Sequence, residues 1–274
     1  MKLATLRVDG GGLHVARVQG DGYIDLGPGD VGSLLAEPDW RTRAAADGPY
    51  VEVAQSSLAP VVPRPGKIVC VGLNYRSHIT EMGRDLPEFP TLFAKFAEVL
   101  IGPFDVLDLP PESDTVDWEA ELVVVVGQRV RRADRVSAEA AIAGYTAMND
   151  VSLRDWQFRT REWLQGKTWE ATTPLGPHLV TPDELAPDAT ISCTVDGERV
   201  QRATIDDLLF GPADLVAYIS TMITLNPGDL IATGTTGGVG HARKPPRYLH
   251  DGQTLVTEIE GVGAMANPVR RSRA

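Results

Sequence analysis

"VDWEAELVVVVGQRV", residues 116–130, is the stretch on which the fold turns. Leu122 and the valines Val123–Val126 make a short, β-branched apolar run closed by Gly127, which reads as a buried strand. Its leading end carries two carboxylates, Glu119 and Glu121. Residues two apart in a strand project from the same face, so these side chains lie side by side. Two ionised carboxylates so placed repel, and partial burial makes the repulsion costly. Solvent exposure, a shared proton or a bound cation would each relieve it.

Outward from this strand, β-like runs outnumber helical ones and are irregularly spaced: "KIVCVGLN", "TLFAKF", "TISCTVDGERVQRA", "DLIATGT" and "TLVTEIEGVGAMANPV". "PADLVAYISTMI" reads as an amphipathic helix, and "SAEAAIAGYTAM" starts helical. The pattern is a mainly β, α+β fold, not the regular strand–helix alternation of a doubly wound sheet. Residues 3–26 read as a short meander, and the Pro-rich "LAPVVPRPGK" (58–67) reads as a linker. The expected division is a small β-rich N-terminal domain, 1–60, and a larger domain, 61–274.

Several residues could join Glu119 and Glu121. Asp150 in "NDVS" offers a third oxygen, and three carboxylates with water form a hard-cation site suited to Mg²⁺, with Mn²⁺ or Ca²⁺ as alternatives. Taken alone, an aspartate in such a position is more often a turn or helix cap. No Cys/His pair has zinc spacing. In "GLNYRSHITEMG" (72–83), a helix over 77–82 would put His78 and Glu81 at i and i+3, the carboxylate orienting the imidazole as a general base. The other histidines (His14, His178, His241, His250) have no such neighbour in sequence and read as structural or surface. Arg154 and Gln157 stand one turn apart and could address a carboxylate, while Lys167 could stabilise an enolate. Lys95 lies inside the apolar "LFAKF" and requires a partner, a ligand or a structural carboxylate. "DLIATGTTGGVG" matches neither a phosphate loop nor a dinucleotide fingerprint; its Thr235 could donate to a ligand oxygen.

The chain has 274 residues and a formal net charge of −11. So acidic a protein is not a general nucleic-acid binder, because releasing counterions from phosphates needs a basic face. Locally gathered cations or a metal can still make a site for an anionic metabolite. The absence of a long apolar run argues against a membrane role. Cys70 and Cys193 sit in strand-like runs and read as buried free thiols, so the expected location is cytoplasmic.

In their order, "VGLNYRSHITEMG", "WEAELVVVVG", "NDVSLRDWQ", "GKTWEATTPLGPHLVT", "GDLIATGTTGGVG" and "LHDGQTLVTEIEGVGAMANPV" resemble the fumarylacetoacetate hydrolase family over about residues 66–270. The resemblance implies a mixed β-sandwich roll, usually a homodimer, with a divalent metal on Glu119, Glu121 and Asp150. It implies catalytic roles for His78, Glu81 and Lys167, and substrate contacts from Arg154, Gln157 and Thr235, to which the reading above adds Lys95. Thr236 stands where the family commonly has Pro, and Trp169 and Glu170 stand where many members have Phe and Asp. The activity it implies is metal-dependent hydrolysis of a carbon–carbon bond in a 2,4-dioxo acid such as an acylpyruvate. Oxaloacetate decarboxylation and isomerisation or decarboxylation of 5-carboxymethyl-2-hydroxymuconate-type diacids use the same enolate chemistry and stand as alternatives. A non-catalytic, metal-dependent ligand-binding protein is the alternative of another class.

Overall fold

The computed structural model describes residues 1–81, 83 and 85–272, with the backbone alone at His78 and Glu81. Its largest sheet has eleven strands. They run in the order Tyr50–Val51, Gly22–Pro28, Leu13–Gln19, Lys2–Arg7, Thr173–Val180, Ile142–Asn149, Ala120–Val126, Leu230–Thr235, Ile68–Gly72, Thr91–Lys95, with Leu100–Ile101 beside Thr173–Val180. A second sheet has five, in the order Glu198–Thr204, Thr190–Val195, Thr254–Ile259, Gly263–Arg271, Leu107–Leu109. Val116–Asp117 and Ser152–Leu153 form a small ribbon. Parallel and antiparallel pairs mix, as expected of a β-sandwich roll with some helix.

Strand Ala120–Val126 is buried along its whole length because it is central in the sheet and covered on both faces. Ala120 and Leu122 point into the core shared with the five-stranded sheet, against residues such as Ile191, Cys193 and Met265. Val124 and Val126, on the same side, meet Leu215, Val216 and Ile219 of helix Pro212–Met222. Val123 and Val125 point the other way, into a cluster with Leu3, Val15, Cys70 and Leu179. Glu119 and Glu121 share the parity of Val123 and Val125, so they stand at the open end of that second face.

Two expectations change. The helix at Arg135–Ala140 stops early, and Ile142–Asn149 is strand, although its Ala, Gly and Met content has little β preference. Pairing on both sides, with Ala120–Val126 and Thr173–Val180, overrides local propensity. The stretch 58–67 is no loose linker, since Val61 and Val62 are buried and Ala59 N donates to Thr5 O at 2.9 Å. Residues 1–60 also join the rest of the protein directly. Leu3 pairs with Leu179 across the main sheet, and Leu3, Val31, Leu34 and Trp40 share one apolar cluster with Ile68, Val123 and Leu230.

Leu3 is therefore a core residue of the whole molecule. Leu3→Ala should lower stability by about 2–5 kcal/mol and keep one cooperative urea transition, followed by tryptophan fluorescence and by far-UV dichroism. Two separated transitions would show instead that residues 1–60 unfold on their own.

Candidate active site

The register of two neighbouring strands builds the acidic cluster. Ala120 pairs antiparallel with Asn149, which sets the start of one strand against the end of the other. Asp150 N donates to Glu119 O at 2.8 Å, and the side chains of Glu119, Glu121 and Asp150 fall on one face. One carboxylate oxygen from each lies within 4.8 Å of the other two, and all three residues are buried. On the other side Glu121 pairs with Thr235, next to a break in register. There Gly234, at φ +99°, takes a backbone conformation that suits glycine and gives its N–H to Glu121 Oε2 at 2.9 Å.

Cations arrive from other elements. Lys167, closing the helix Leu164–Lys167, donates to Glu119 Oε2 and Asp150 Oδ2, each at 2.7 Å. Lys95, the last residue of strand Thr91–Lys95, donates to Asp150 Oδ1 at 2.6 Å. Arg154 reaches Glu119 Oε1 at 2.7 Å and Asp117 Oδ2 at 2.7 Å. It also donates to Gln157 Oε1 at 2.7 Å. Gly166 lets these groups converge: a Cβ there would meet the Gln157 backbone at 2.5 Å. The helix carrying Lys167 can thus lie flat against the one carrying Arg154.

Burial alone would lower the Lys167 pKa, but Asp150 and Glu119 outweigh it and hold the ammonium above the ordinary lysine range. Burial likewise pushes Asp150 up, and Lys167 and Lys95 more than reverse this, leaving it below its ordinary value. Glu121 is the exception. Burial, then Asp150 and Glu119, push its pKa well above the carboxylate range, with Lys167 and the Gly234 N–H opposing only in part. Among the described residues no Lys or Arg bonds Glu121, whereas Glu119 and Asp150 each bond two.

Asp117, Glu119, Glu121 and Asp150 carry −4 when ionised, and Lys95, Arg154 and Lys167 carry +3, a sum of −1. A divalent ion would turn this to +1, relieve Glu121 and leave the floor attractive to an anion. An all-oxygen donor set suits a hard cation, so the residues fit a divalent metal.

A cavity of about 330 Å³ opens above the cluster. Glu119, Glu121, Arg154, Gln157, Lys167 and Thr235 all line it, so most of the expected site residues do converge. Lys95 and Asp150 are not among the lining residues; they lie behind the cavity with fully buried side chains, paired with each other at 2.6 Å. Thr235 gives its hydroxyl proton to Ala120 O at 2.9 Å and accepts from Gln201 Nε2 at 2.8 Å, so it faces the cavity with its proton already engaged. Thr236, in place of the common Pro, is buried and bonded to Gly237 O at 3.0 Å, which keeps the turn closed. The backbone at His78 and Glu81 is helical, Arg76–Glu81, but their side chains lie outside the described residues.

Two neighbours escaped the sequence reading. Asp117 is buried and accepts from the backbone N–H groups of Trp118, Gly240 and His241 as well as from Arg154. Its signal was present, since "DWEAE" alternates three carboxylates at period two. His241, read as structural or surface, lines the cavity beside Phe158 and Trp163. Nothing in its local sequence announces this.

A family model described as fumarylacetoacetate (FAA) hydrolase C-terminal matches residues 67–270. The rat protein described as oxaloacetate tautomerase Fahd2a, mitochondrial, is 43% identical over 232 residues, covering 84% of this chain and 74% of that one. A solved 5-carboxymethyl-2-hydroxymuconate delta-isomerase from Mycobacterium smegmatis superposes with a TM-score of 0.83 at 30% identity, covering 99% of this chain and 100% of that one. Fumarylpyruvate hydrolase from Pseudomonas aeruginosa, solved with Mn²⁺ and pyruvate, gives a TM-score of 0.69 at 32% identity over 76% of this chain and 91% of that one. These relatives correct the expected cytoplasmic location, because the rat protein and its human counterpart are described as mitochondrial. Buried thiols and the lack of a long apolar run do not separate the cytosol from an organelle.

The folded protein holds the Glu121 proton more tightly than the unfolded chain does. Stability of the metal-free protein from this group is therefore greatest below the ordinary carboxylate range. It falls as pH rises from there towards the raised folded value. Glu121→Gln should flatten that decline and abolish most of the rise in melting temperature produced by Mn²⁺ or Mg²⁺. A metal-induced shift equal to wild type would remove Glu121 from the ligand set.

Proposed function

Because this chain belongs to the fumarylacetoacetate hydrolase C-terminal family, we propose that it catalyses metal-assisted enolisation of a 2-oxo acid, with keto–enol interconversion of an oxaloacetate-type diacid as its reaction. The observation that carries this reading is Lys167, held protonated between two of the three acidic residues and lining the cavity. A lysine so held is not a base. It is a fixed positive charge placed where an enolate oxygen would develop, and such preorganised charge lowers the barrier to enolisation.

Glu119, Glu121 and Asp150 would hold Mg²⁺ or Mn²⁺, which supplies Lewis-acid stabilisation of the oxyanion when bound. Arg154 and Gln157 would receive the substrate carboxylate. Among the described residues Arg154 commits Nε to Asp117, Nη1 to Gln157 and Nη2 to Asp117 and Glu119. One Nη1 proton is then left for a substrate oxygen. Accepting from Arg154 fixes the Gln157 amide with its NH₂ group as donor, also uncommitted among the described residues. The pair proposed to move the C3 proton is His78 with Glu81, on a helix that starts three residues after the cavity-lining Leu73.

The similarity to a tautomerase at 43% identity supports enolisation over the carbon–carbon hydrolysis expected from sequence. Hydrolysis of an acylpyruvate is the second reading, favoured by the likeness to fumarylpyruvate hydrolase. It needs the same floor and, in addition, a water activated by the His78–Glu81 pair.

The test is keto–enol exchange of oxaloacetate on Mn²⁺-loaded protein, followed by NMR, with pyruvate release measured from oxaloacetate and from an acylpyruvate. Exchange without pyruvate is expected; pyruvate from the acylpyruvate at a higher rate would return the protein to the hydrolases. Lys167→Ala should reduce kcat on the order of 10²–10³-fold, and His78→Ala should abolish exchange while metal affinity, by calorimetry, stays near wild type. Full exchange in either variant would discard that residue's role.

A further inference from the structure

The charged floor described above says how a 2-oxo acid end would be held, and leaves open what meets the rest of the molecule. Away from the floor the cavity wall is Leu73, Phe93, Phe158, Trp163 and Val239, with one further polar side chain among the described residues, His241. We propose that His241, oriented by Tyr248, is a specificity-determining hydrogen-bond donor that receives the distal carboxylate of a 2-oxo diacid. This rests on the reading under Proposed function.

Three contacts fix the imidazole. The His241 backbone N–H donates to Asp117 Oδ2 at 2.9 Å, and the same oxygen accepts from Arg154 Nε at 2.8 Å. One carboxylate oxygen thus ties the turn Gly240–Ala242 to the guanidinium at the floor. The turn is packed tightly, since a Cβ at Gly240 would lie 1.9 Å from Arg247 O. The ring stacks at a tilt on Phe158, with centroids 5.2 Å apart, and its Nδ1 meets the Tyr248 hydroxyl at 2.9 Å. With the phenol donating to Nδ1, the neutral ring carries its proton on Nε2. Among the described residues Nε2 has no partner, so it is the ring nitrogen left for a ligand. Partial desolvation and the Arg154 charge, opposed in part by Asp117, also hold the ring pKa of this largely exposed residue below the ordinary histidine value, which favours the neutral donor at pH 7.

A ligand that bonds both the floor and His241 needs an acceptor at each end. Oxaloacetate has one; 2-oxobutyrate, of the same chain length, ends in a methyl group, and oxalate occupies the floor alone. Mn²⁺-loaded protein should be compared as wild type, His241→Ala, His241→Asn and Tyr248→Phe. The measurements are Kd for oxalate and 2-oxobutyrate by calorimetry, and KM and kcat for oxaloacetate. His241→Ala is expected to raise the oxaloacetate KM about tenfold or more, with the change falling on KM rather than kcat. Oxalate and 2-oxobutyrate affinities should move less than about twofold. His241→Asn, which keeps an N–H donor, should recover most of the loss, and Tyr248→Phe should shift KM in the same direction by less. An unchanged KM in His241→Ala, or equal losses for all three ligands, would overturn the proposal and make His241 a packing residue. Failure of wild-type protein to bind oxalate would overturn the enolisation reading itself, and the role of His241 with it.

Discussion

Repulsion among buried carboxylates is the constraint around which this protein is organised. Asp117, Glu119, Glu121 and Asp150 stand together at one end of a strand that is otherwise wholly apolar. No single element could neutralise them, and none does: Lys95 comes from the edge of the main sheet, Arg154 and Lys167 from two short helices packed through Gly166. Buried ion clusters seldom add stability relative to apolar side chains of the same volume, because desolvation offsets most of the attraction. A chain selected for stability alone would gain from replacing this one. Buried charges interleaved in this way at the floor of a cavity mark a candidate functional site rather than a stabilising device.

The sheet turns that constraint into geometry. Antiparallel pairing of Ala120–Val126 with Ile142–Asn149 brings Asp150 beside Glu119, although thirty residues of chain separate them. The neighbouring strand Leu230–Thr235 contributes the Gly234 N–H, and the hydroxyl of its Thr235 is tied to Ala120 O and Gln201. A one-residue slip would turn Glu119 and Glu121 towards the apolar core shared with the five-stranded sheet, while the valines would only exchange one buried face for the other. The cost of burying two carboxylates in that core excludes such a slip, so the placement of the acidic residues and the register of the strand fix each other.

Much of the floor was legible because it follows local rules. Alternation at period two places Glu119 and Glu121 on one face, and a lysine among phenylalanines must have a partner, which proved to be Asp150. The same alternation extends to Asp117, but its partners Arg154, Gly240 and His241 are remote in sequence and nothing local points to them. Other features depend on contacts remote in sequence. The Ala-rich strand Ile142–Asn149 exists because it has neighbours on both sides, and the Pro-rich 58–67 is packed because Thr5 holds it. His241 reaches the cavity through a bond to Asp117, 124 residues away, and no local pattern encodes that.

The floor and the wall of the cavity are thus different kinds of surface. On the floor every charge but that of Glu121 is bonded to an opposite charge, so replacing one residue disturbs its neighbours, and the range of chemistry the floor can carry is correspondingly narrow. The wall is a set of aromatic and aliphatic side chains with a single polar group among those described, each able to change without unbalancing its neighbours. Tautomerisation, isomerisation and hydrolysis of 2-oxo acids all pass through an enol or enolate, and they part only in what happens next: where a proton is delivered, or whether a water attacks. In the reading proposed above, those decisions would fall to the wall and to the helix Arg76–Glu81. A fold divided in this way can keep one reactive intermediate and alter its fate through residues that carry no share of the electrostatic balance, which is the physical reason that shared architecture specifies the reaction class more firmly than the substrate.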